Sequence, residues 1–295
     1  MLSNTGYKPV LHEYIIDNMY PLILSIGFIH IYSLSVFLVL SWGIFSFLLW
    51  RGLRGNGVDE DKIFDLTFYS TLCSLVVARV AFVVTHWDIF QNAWLKIPAI
   101  WIAPGFSLYG ALIGGLVSMV IVGRKQKVRI GQIFDTFALA FSVAYTVGLT
   151  GSFLDGSVIG KISRVPWAVR YIGEVGTRHP IQIYESFASL GLIVFVIWMV
   201  RKSVTEKWAY GVVGVWFFLI YSPIMFALES FKDSHVYWSL SANQWVLVAL
   251  FAETVGAFYV HAGGREKVRP VIYKIKTYIA RTIGGLYAKF PRRHS

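Results

Sequence analysis

Seven long apolar runs dominate the pattern of hydrophobic and polar positions along the chain. They lie near residues 28–50, 65–85, 102–122, 133–155, 181–200, 209–229 and 242–262. Each has about the 20 residues that a helix needs to cross ~30 Å of hydrocarbon. Because a backbone in lipid cannot bond to water, and the runs are too long and uniformly apolar for barrel strands, the pattern predicts an all-α, polytopic membrane protein.

Composition supports this fold class, since 56% of the 295 residues are hydrophobic and only 15% are charged. Those fractions exclude an ordinary soluble domain. The single cysteine, Cys73, permits no internal disulfide. We expect one membrane domain over residues 1–262, followed by a basic tail over residues 263–295.

Lysine and arginine residues are distributed unequally between the two sets of loops. The loops near 51–64, 123–132 and 201–208, with the tail, carry nineteen of these residues, and the opposite set carries seven. This asymmetry predicts an external N-terminus, a cytoplasmic C-terminus and a small external head between spans four and five. The net charge of +11 is therefore explained by topology and anionic lipid, and no nucleic-acid partner is expected.

The tail repeats apolar residues at helical spacing between basic ones. These residues are Ile272, Ile275, Ile279, Ile283 and Leu286. The pattern predicts a helix that lies flat on an anionic membrane surface, and a disordered solvated tail is the alternative.

Ionisable and strongly polar residues at membrane depth indicate where function lies, because one charge at the bilayer centre costs about 2.5 to 3.5 kcal/mol. The candidates are Arg79, Asp135, Asp155, Gln182, Glu185, Glu229 and Gln244. In the predicted topology, most of them fall near the outer leaflet. We therefore expect them to converge on one site.

The stretch TRHPIQIYESFASL, residues 177–190, brings several polar side chains to the start of span five. Pro180 suits the first turn of a helix, and Gln182, Glu185 and Ser189 share one helical face. For Arg178 and His179, anchoring at the membrane interface is the alternative to function. For Glu185, the alternative is a structural ion pair with an arginine.

Within this stretch, RHPIQIYE resembles the Arg-His-Pro-Ser-Gln-Leu-Tyr-Glu signature of the bacterial prolipoprotein diacylglyceryl transferases. The resemblance extends over residues 22–262, through LSIGFIHIYSL (24–34), VVARVAF (76–82), PGFSLYGALIGG (104–115), IGQIFDTFAL (130–139) and GSFLDGSVIGK (151–161). It implies seven spans in the bacterial cytoplasmic membrane. It also implies two substrates, phosphatidylglycerol and a prolipoprotein signal peptide with its lipobox cysteine, and no cofactor.

The resemblance also assigns candidate site residues. Expected catalytic residues are His30, Tyr109, His179 and Glu229, with His30 or His179 accepting the thiol proton. Expected substrate-binding residues are Tyr32, Arg79, Ser152, Asp155, Arg178, Gln182, Tyr184, Glu185 and Gln244. Arg79 and Arg178 would hold the lipid headgroup, and Glu185 and Glu229 would orient them.

Five positions depart from the family pattern. Tyr109 replaces a histidine, Ser152 and Asp155 replace asparagines, and Leu149 and Met225 replace arginines. Tyrosine is a weaker base than histidine at neutral pH, and two phosphate-facing cations are absent. Lys161, Arg164 and Lys232 are the residues that could supply positive charge from the outer loops.

Two other functions remain open at this level. A lipid or signal-peptide binding protein that has lost turnover would explain Leu149 and Met225, and a small-solute transporter would explain the intramembrane carboxylates. GALIGG lies inside an apolar run, so we interpret it as a helix-packing motif rather than a nucleotide loop. Asp135 is expected to cap a helix end, and we expect no metal site.

Overall fold

The structure is a computed structural model. It describes residues 19–26, 29–261, 266, 269–270 and 273. The five apolar residues of the predicted tail helix lie outside these ranges, so the helix and its contact with anionic lipid stay predictions.

Seven described helices are long and apolar enough to cross a membrane, which confirms the predicted number of spans. They are α1 (Ser33–Gly55), α2 (Glu60–Thr85), α3 (Leu108–Lys125), α4 (Ile130–Asp155), α5 (Ile181–Thr205), α6 (Val212–Glu229) and α7 (Ala242–His261). Such a set of helices indicates a multi-pass membrane protein. Which end of the bundle faces the cytoplasm stays a prediction.

The first and third helices begin later than the sequence predicted. Strands β1 (Leu22–Ile26) and β2 (Ile29–Tyr32) form an antiparallel hairpin in front of α1. A one-turn helix (Trp87–Phe90) and a 3₁₀ turn (Trp94–Lys96) precede α3. The residues that were counted with the spans, 29–32 in the hairpin and 102–107 before α3, are largely apolar, so their composition resembles that of a span although their backbone is not part of one.

Two further strand pairs lie beside the helix ends that carry the polar residues. Strand β3 (Val169–Arg170) pairs with β4 (Thr177–Arg178), and β5 (Val236–Tyr237) pairs with β6 (Leu240–Ser241). Isolated bridges join Gly160 to Lys232 and Ile162 to Arg178. The segments before α5 and before α7 are thereby tied to each other.

Helix α4 occupies the centre of the bundle, where it packs against α1, α5 and α6. Aromatic rings of α4 and α6 fill the contact between these two helices, and they are Phe134, Phe137, Phe141, Phe217, Phe218 and Tyr221. Helix α2 packs on α3, and α6 packs on α7.

The GALIGG motif lies where α3 meets α2, as the packing interpretation predicted. A Cβ at Gly110 would lie 2.6 Å from the Ala81 Cβ, and one at Gly114 would lie 2.9 Å from the Cys73 carbonyl oxygen. Only glycine allows the two backbones to come this close.

Asp135 caps a helix, but the helix is α6 rather than its own. Its carboxylate accepts hydrogen bonds from the backbone N–H of Gly211 at 2.7 Å and of Gly214 at 2.8 Å. These donors belong to the start of α6, where backbone N–H groups lack intrahelical partners. Asp135 therefore holds α4 and α6 in register at the end of the bundle opposite the strands.

Candidate active site

A buried lysine joins two carboxylates where α5 begins and α6 ends. The Lys232 Nζ lies 2.7 Å from the Glu185 Oε1 and 2.9 Å from the Glu229 Oε2. Glu185, Glu229 and Lys232 are 2%, 2% and 9% exposed. Three charged groups are thus withdrawn together from solvent and lipid.

Local sequence explains how these groups meet. Glu185 lies on the second turn of α5, on the helical face that it shares with buried Gln182 and Ser189. Glu229 is the last residue of α6, and Lys232 follows three positions later. The Lys232 backbone N–H donates to the Glu229 carbonyl oxygen at 3.1 Å, so the lysine stays within one turn of the helix end.

Each carboxylate has a second partner. The Tyr145 hydroxyl donates to the Glu185 Oε2 at 2.9 Å, and the Asn243 amide donates to the Glu229 Oε1 at 2.7 Å. The other oxygen of each carboxylate faces the Lys232 ammonium, although the Glu229 Oε2 makes no hydrogen bond of standard geometry among the described residues. Helices α4, α5, α6 and α7 all contribute to the cluster.

Electrostatics keep Lys232 charged. Burial lowers the pKa of its ammonium, but Glu185 and Glu229 together raise that pKa by more, so the net shift is upward. Lys232 therefore stays protonated at neutral pH. With both glutamates ionised, the three groups carry a net charge of −1.

Tyr109 and Tyr221 complete the wall of the cluster. Tyr109 is 2% exposed and interacts electrostatically with Tyr221, Glu229 and Glu185. In the part of the chain that the structure describes, neither tyrosine hydroxyl makes a hydrogen bond of standard geometry. Tyr109, where the resemblance leads us to expect a histidine, thus places a buried phenol next to the charged groups.

Arg178 forms a separate ion cluster. Its guanidinium contacts the Glu174 Oε2 at 2.7 Å and the Asp233 Oδ2 at 2.8 Å, and it donates to the Gly160 carbonyl at 3.1 Å. The Asp233 carboxylate lies on the residue after Lys232. Arg178 thus joins the segment before α5 to the segment after α6.

Gln182 and Ser152 join the end of α4 to the start of α5. The Gln182 amide donates to the carbonyls of Val158 at 2.7 Å and Ser152 at 3.4 Å, and it accepts from the Tyr171 hydroxyl at 2.9 Å. Burial raises the pKa of Tyr171 to about 12, which keeps the hydroxyl a donor. Ser152 also contacts the Ser157 hydroxyl at 3.0 Å.

His179 and Tyr184 lie against the residue that precedes Lys232. The His179 Nδ1 and the Tyr184 hydroxyl are 3.1 Å apart, and the His179 ring lies 5.3 Å from the Phe231 ring. The Trp167 indole N–H donates to the Tyr184 hydroxyl at 2.7 Å. His179 is therefore a neighbour of the charged cluster.

Gln244 braces the start of α7 against the end of α6. Its amide donates to the Ser230 hydroxyl at 2.9 Å, and its carbonyl accepts from the Ser241 backbone N–H at 2.9 Å. Because Ser230 follows Glu229 directly, Gln244 positions the chain on which the carboxylate lies.

Arg79 is engaged by backbone carbonyls in a different part of the molecule. Its guanidinium donates to the carbonyls of Ile97, Ala103, Gly105 and Lys96 at 2.8 to 3.0 Å. These bonds stabilise the loop before α3. A headgroup role for Arg79 stays a prediction, and it would require some of them to open.

The remaining predicted residues lie at the periphery. His30 is exposed on β2 and contacts the Ser25 hydroxyl at 2.9 Å, and Tyr32 is 50% exposed. Asp155 ends α4. No hydrogen bond or ion pair joins these three, or Arg79, to the Lys232 cluster among the described residues.

Thus the structure unites Tyr109, Glu185 and Glu229, with Lys232 at the centre. The polar pattern identified the two glutamates, and Lys232 was one of three candidate cations. Tyr145 and Tyr221 were missed because an aromatic residue inside an apolar run is ordinary in a packed helix, and Asn243 was missed because one asparagine beside a span forms no pattern. The i, i+3 spacing of Glu229 and Lys232 is the signal that could have paired them.

Leu149 and Met225, where the resemblance leads us to expect arginines, are buried at 5% and 1% exposure. Both belong to the apolar core around α4 and α6. Their positions are therefore filled by packing, and the positive charge of the site comes from Lys232.

The family model described as prolipoprotein diacylglyceryl transferase matches residues 21–260. The chain belongs to this family. The matched range includes all seven helices apart from one terminal residue, and it includes the Lys232 cluster. The recognition suggested by the RHPIQIYE segment is thereby confirmed.

The chain is also similar to curated relatives that are named phosphatidylglycerol–prolipoprotein diacylglyceryl transferase. The relative from Thermosynechococcus vestitus is 25% identical over 82% of this chain and 93% of its own length. The one from Mannheimia succiniciproducens is 27% identical over 84% and 94%. The one from Chromohalobacter salexigens reaches 31% identity over 61% and 68%.

Proposed function

We propose that this protein transfers the diacylglyceryl group of phosphatidylglycerol to the lipobox cysteine of a prolipoprotein, in the bacterial cytoplasmic membrane. The observation that carries the proposal is family membership along the whole bundle, together with a buried cation between two carboxylates at the helix ends. The relatives' name supports phosphatidylglycerol and a prolipoprotein as the substrates.

Lys232 is the group that stabilises the departing phosphate. An ammonium has three donors. Glu185 and Glu229 take two of them, and in the described part of the chain the third has no partner. A phosphate oxygen accepts that third hydrogen, and the two carboxylates fix the direction in which it points.

The thiol attacks the carbon of the diacylglyceryl group that is bonded to a phosphate oxygen. The S–C bond forms, the C–O bond breaks, and glycerol phosphate leaves with the bonding electron pair. His179 accepts the thiol proton, because it contacts Phe231 beside Lys232, whereas His30 lies on the hairpin. A thiol is already a few per cent ionised at pH 7, so a weakly placed base is sufficient.

The substrates can reach the Lys232 cluster only if the loop after α6 moves. The cluster is closed by bonds from this loop to the segment before α5, including Asp233 to Arg178 and the Lys161 N–H to the Phe231 carbonyl. In this step Arg178 releases one of its carboxylate partners and binds the phosphate of the incoming headgroup. Its planar guanidinium suits phosphate, and its Nε is buried without a partner among the described residues.

A binding protein without turnover is the second candidate, and the apolar residues Leu149 and Met225 favour it. Complementation separates the two. In bacteria depleted of their own diacylglyceryl transferase, the proposed enzyme restores growth, and Glu229→Gln abolishes rescue while Glu253→Gln, remote on α7, retains it. Correct insertion without rescue would favour binding alone.

A further inference from the structure

A groove on the side of the bundle lies far from the candidate active site. It has a volume of about 630 Å³ between α2 and α3, and its lining residues are Tyr69, Leu72, Cys73, Val76, Ser118, Val122, Lys125 and Gln126. These residues lie along the middle of α2 and the second half of α3. The Lys232 cluster lies at the start of α5 and the end of α6, so the Lys125 end of the groove is at the opposite end of the bundle.

The groove begins where the glycine contacts between α2 and α3 end. Gly114 and Gly115 bring α3 against Cys73 and Ser74. The next lining residue of α3 is Ser118, whose small side chain leaves space beside α2. The groove is about 10 Å long, because its lining residues extend over seven residue steps on each helix, from Tyr69 to Val76 and from Ser118 to Lys125.

One end of the groove carries polar groups that lack protein partners. Lys125 is exposed, and it makes no ion pair with any described residue. The Gln126 amide N–H donates to the Asp65 Oδ2 at 2.8 Å. Its Oε1, in contrast, is buried and accepts no hydrogen bond within the described ranges.

We propose that this groove binds one anionic glycerophospholipid whose headgroup carries a hydroxyl or ammonium donor. An acyl chain lies along Leu72, Val76 and Val122, which are apolar and open to the side. The phosphate pairs with Lys125, and the headgroup donor satisfies the Gln126 Oε1. In the predicted topology this end faces the cytoplasm, so the lipid comes from the inner leaflet.

The lone cysteine gives a local probe, because Cys73 lines the groove and no other cysteine is present. Full-length protein carrying bimane on Cys73 is placed in phosphatidylcholine vesicles with brominated phosphatidylserine or brominated phosphatidylcholine. Phosphatidylserine is chosen because it is anionic and is not the proposed transferase substrate. The result is therefore independent of the proposed function.

We expect brominated phosphatidylserine to quench bimane at about fivefold lower mole fraction than brominated phosphatidylcholine. One lysine near a membrane surface gives a preference of about this size for an anionic lipid. Lys125→Gln removes the preference. Arg201→Gln, which removes one charge from the same predicted face outside the groove, retains it. Equal quenching by both lipids in the unaltered chain, or equal loss in the two variants, would overturn the proposal.

Unlabelled protein provides a second measurement that does not place a fluorophore in the groove. Phosphatidylserine is expected to slow alkylation of Cys73 by a membrane-permeant maleimide, relative to phosphatidylcholine alone. The slowing disappears in Lys125→Gln and persists in Arg201→Gln. Identical rates in both vesicles would count against occupancy.

Discussion

Lys232 and its two carboxylates depend on each other for burial. Removing the ammonium leaves Glu185 and Glu229 close together without the charge that offsets them. Breaking a buried pair in this way costs about 3 to 5 kcal/mol, whereas an exposed pair contributes less than about 1 kcal/mol.

Lys232→Met is therefore expected to lower the free energy of unfolding by about 3 to 5 kcal/mol, as measured by denaturant titration in mixed micelles. Lys161→Met is the control, because this lysine is exposed in the preceding loop. The triple variant Lys232→Met, Glu185→Gln, Glu229→Gln should recover most of the loss. Equal stability of the two single variants would contradict the ion cluster.

The pH dependence of this effect follows from the raised pKa of Lys232. A raised folded-state pKa gives stability that is complete below the unfolded value, about 10.4, and is lost as pH rises through the folded value. The stability difference between the unaltered chain and Lys232→Met should thus still be present at about pH 9 and decrease above about 10.4. A decrease starting near neutrality would indicate that the carboxylates do not hold the ammonium.

At this scale, the sequence predicts which residues are unusual but not which residues meet. Glu185 and Glu229 stand out because carboxylates at helix ends in apolar runs are costly. Arg79 stands out equally, yet its donors are used by loop carbonyls that have no sequence signature. Side-chain pairing depends on the fold, which a pattern of residue types does not contain.

Among the helix contacts, α2 and α3 pack especially closely at Gly114. A methyl group at Gly114 would lie 2.7 Å from the Val77 Cβ and 2.9 Å from the Cys73 carbonyl oxygen. Neither atom lies at the flexible end of a long side chain. Helices α2 and α3 must therefore separate to accommodate the methyl group.

Gly114→Ala should therefore destabilise the protein by about 1 to 3 kcal/mol, the usual cost of overpacking. Gly43→Ala is a matched control inside α1, since nothing lies within 4 Å of its added Cβ. Its effect should lie between zero and about 1 kcal/mol of stabilisation, because alanine favours a helix more than glycine does. The measurement is again denaturant titration, and similar losses in both variants would show that α2 and α3 are not in close contact.

The spans themselves could be predicted because length and apolar content suffice to identify a helix in lipid. The starts of α1 and α3 could not. Residues 29–32 of the hairpin and 102–107 of the loop before α3 are largely apolar, and their backbones are fixed by strand pairing in the hairpin and by Arg79 in the loop. Likewise, nothing in the pattern indicates that α4 lies at the centre.

For the whole molecule, the charge distribution predicts the orientation in the membrane. In a Cys73→Ser background, Val175→Cys should react with an impermeant maleimide in intact cells, because residue 175 is 83% exposed in the predicted external head. Asn56→Cys, on the opposite side, should react only after permeabilisation. The reverse pattern would invert the predicted topology and place the Lys232 cluster at the cytoplasmic leaflet.

Diacylglyceryl transfer by the Lys232 cluster can be measured directly. Purified protein is given labelled phosphatidylglycerol and a lipobox peptide, and the mass of the peptide is followed. We predict a diacylglyceryl mass gain on cysteine, retained in Lys232→Arg and reduced about 100- to 1000-fold in Lys232→Met. No mass gain at any pH from about 6 to 9, under conditions in which a curated relative is active, would contradict it.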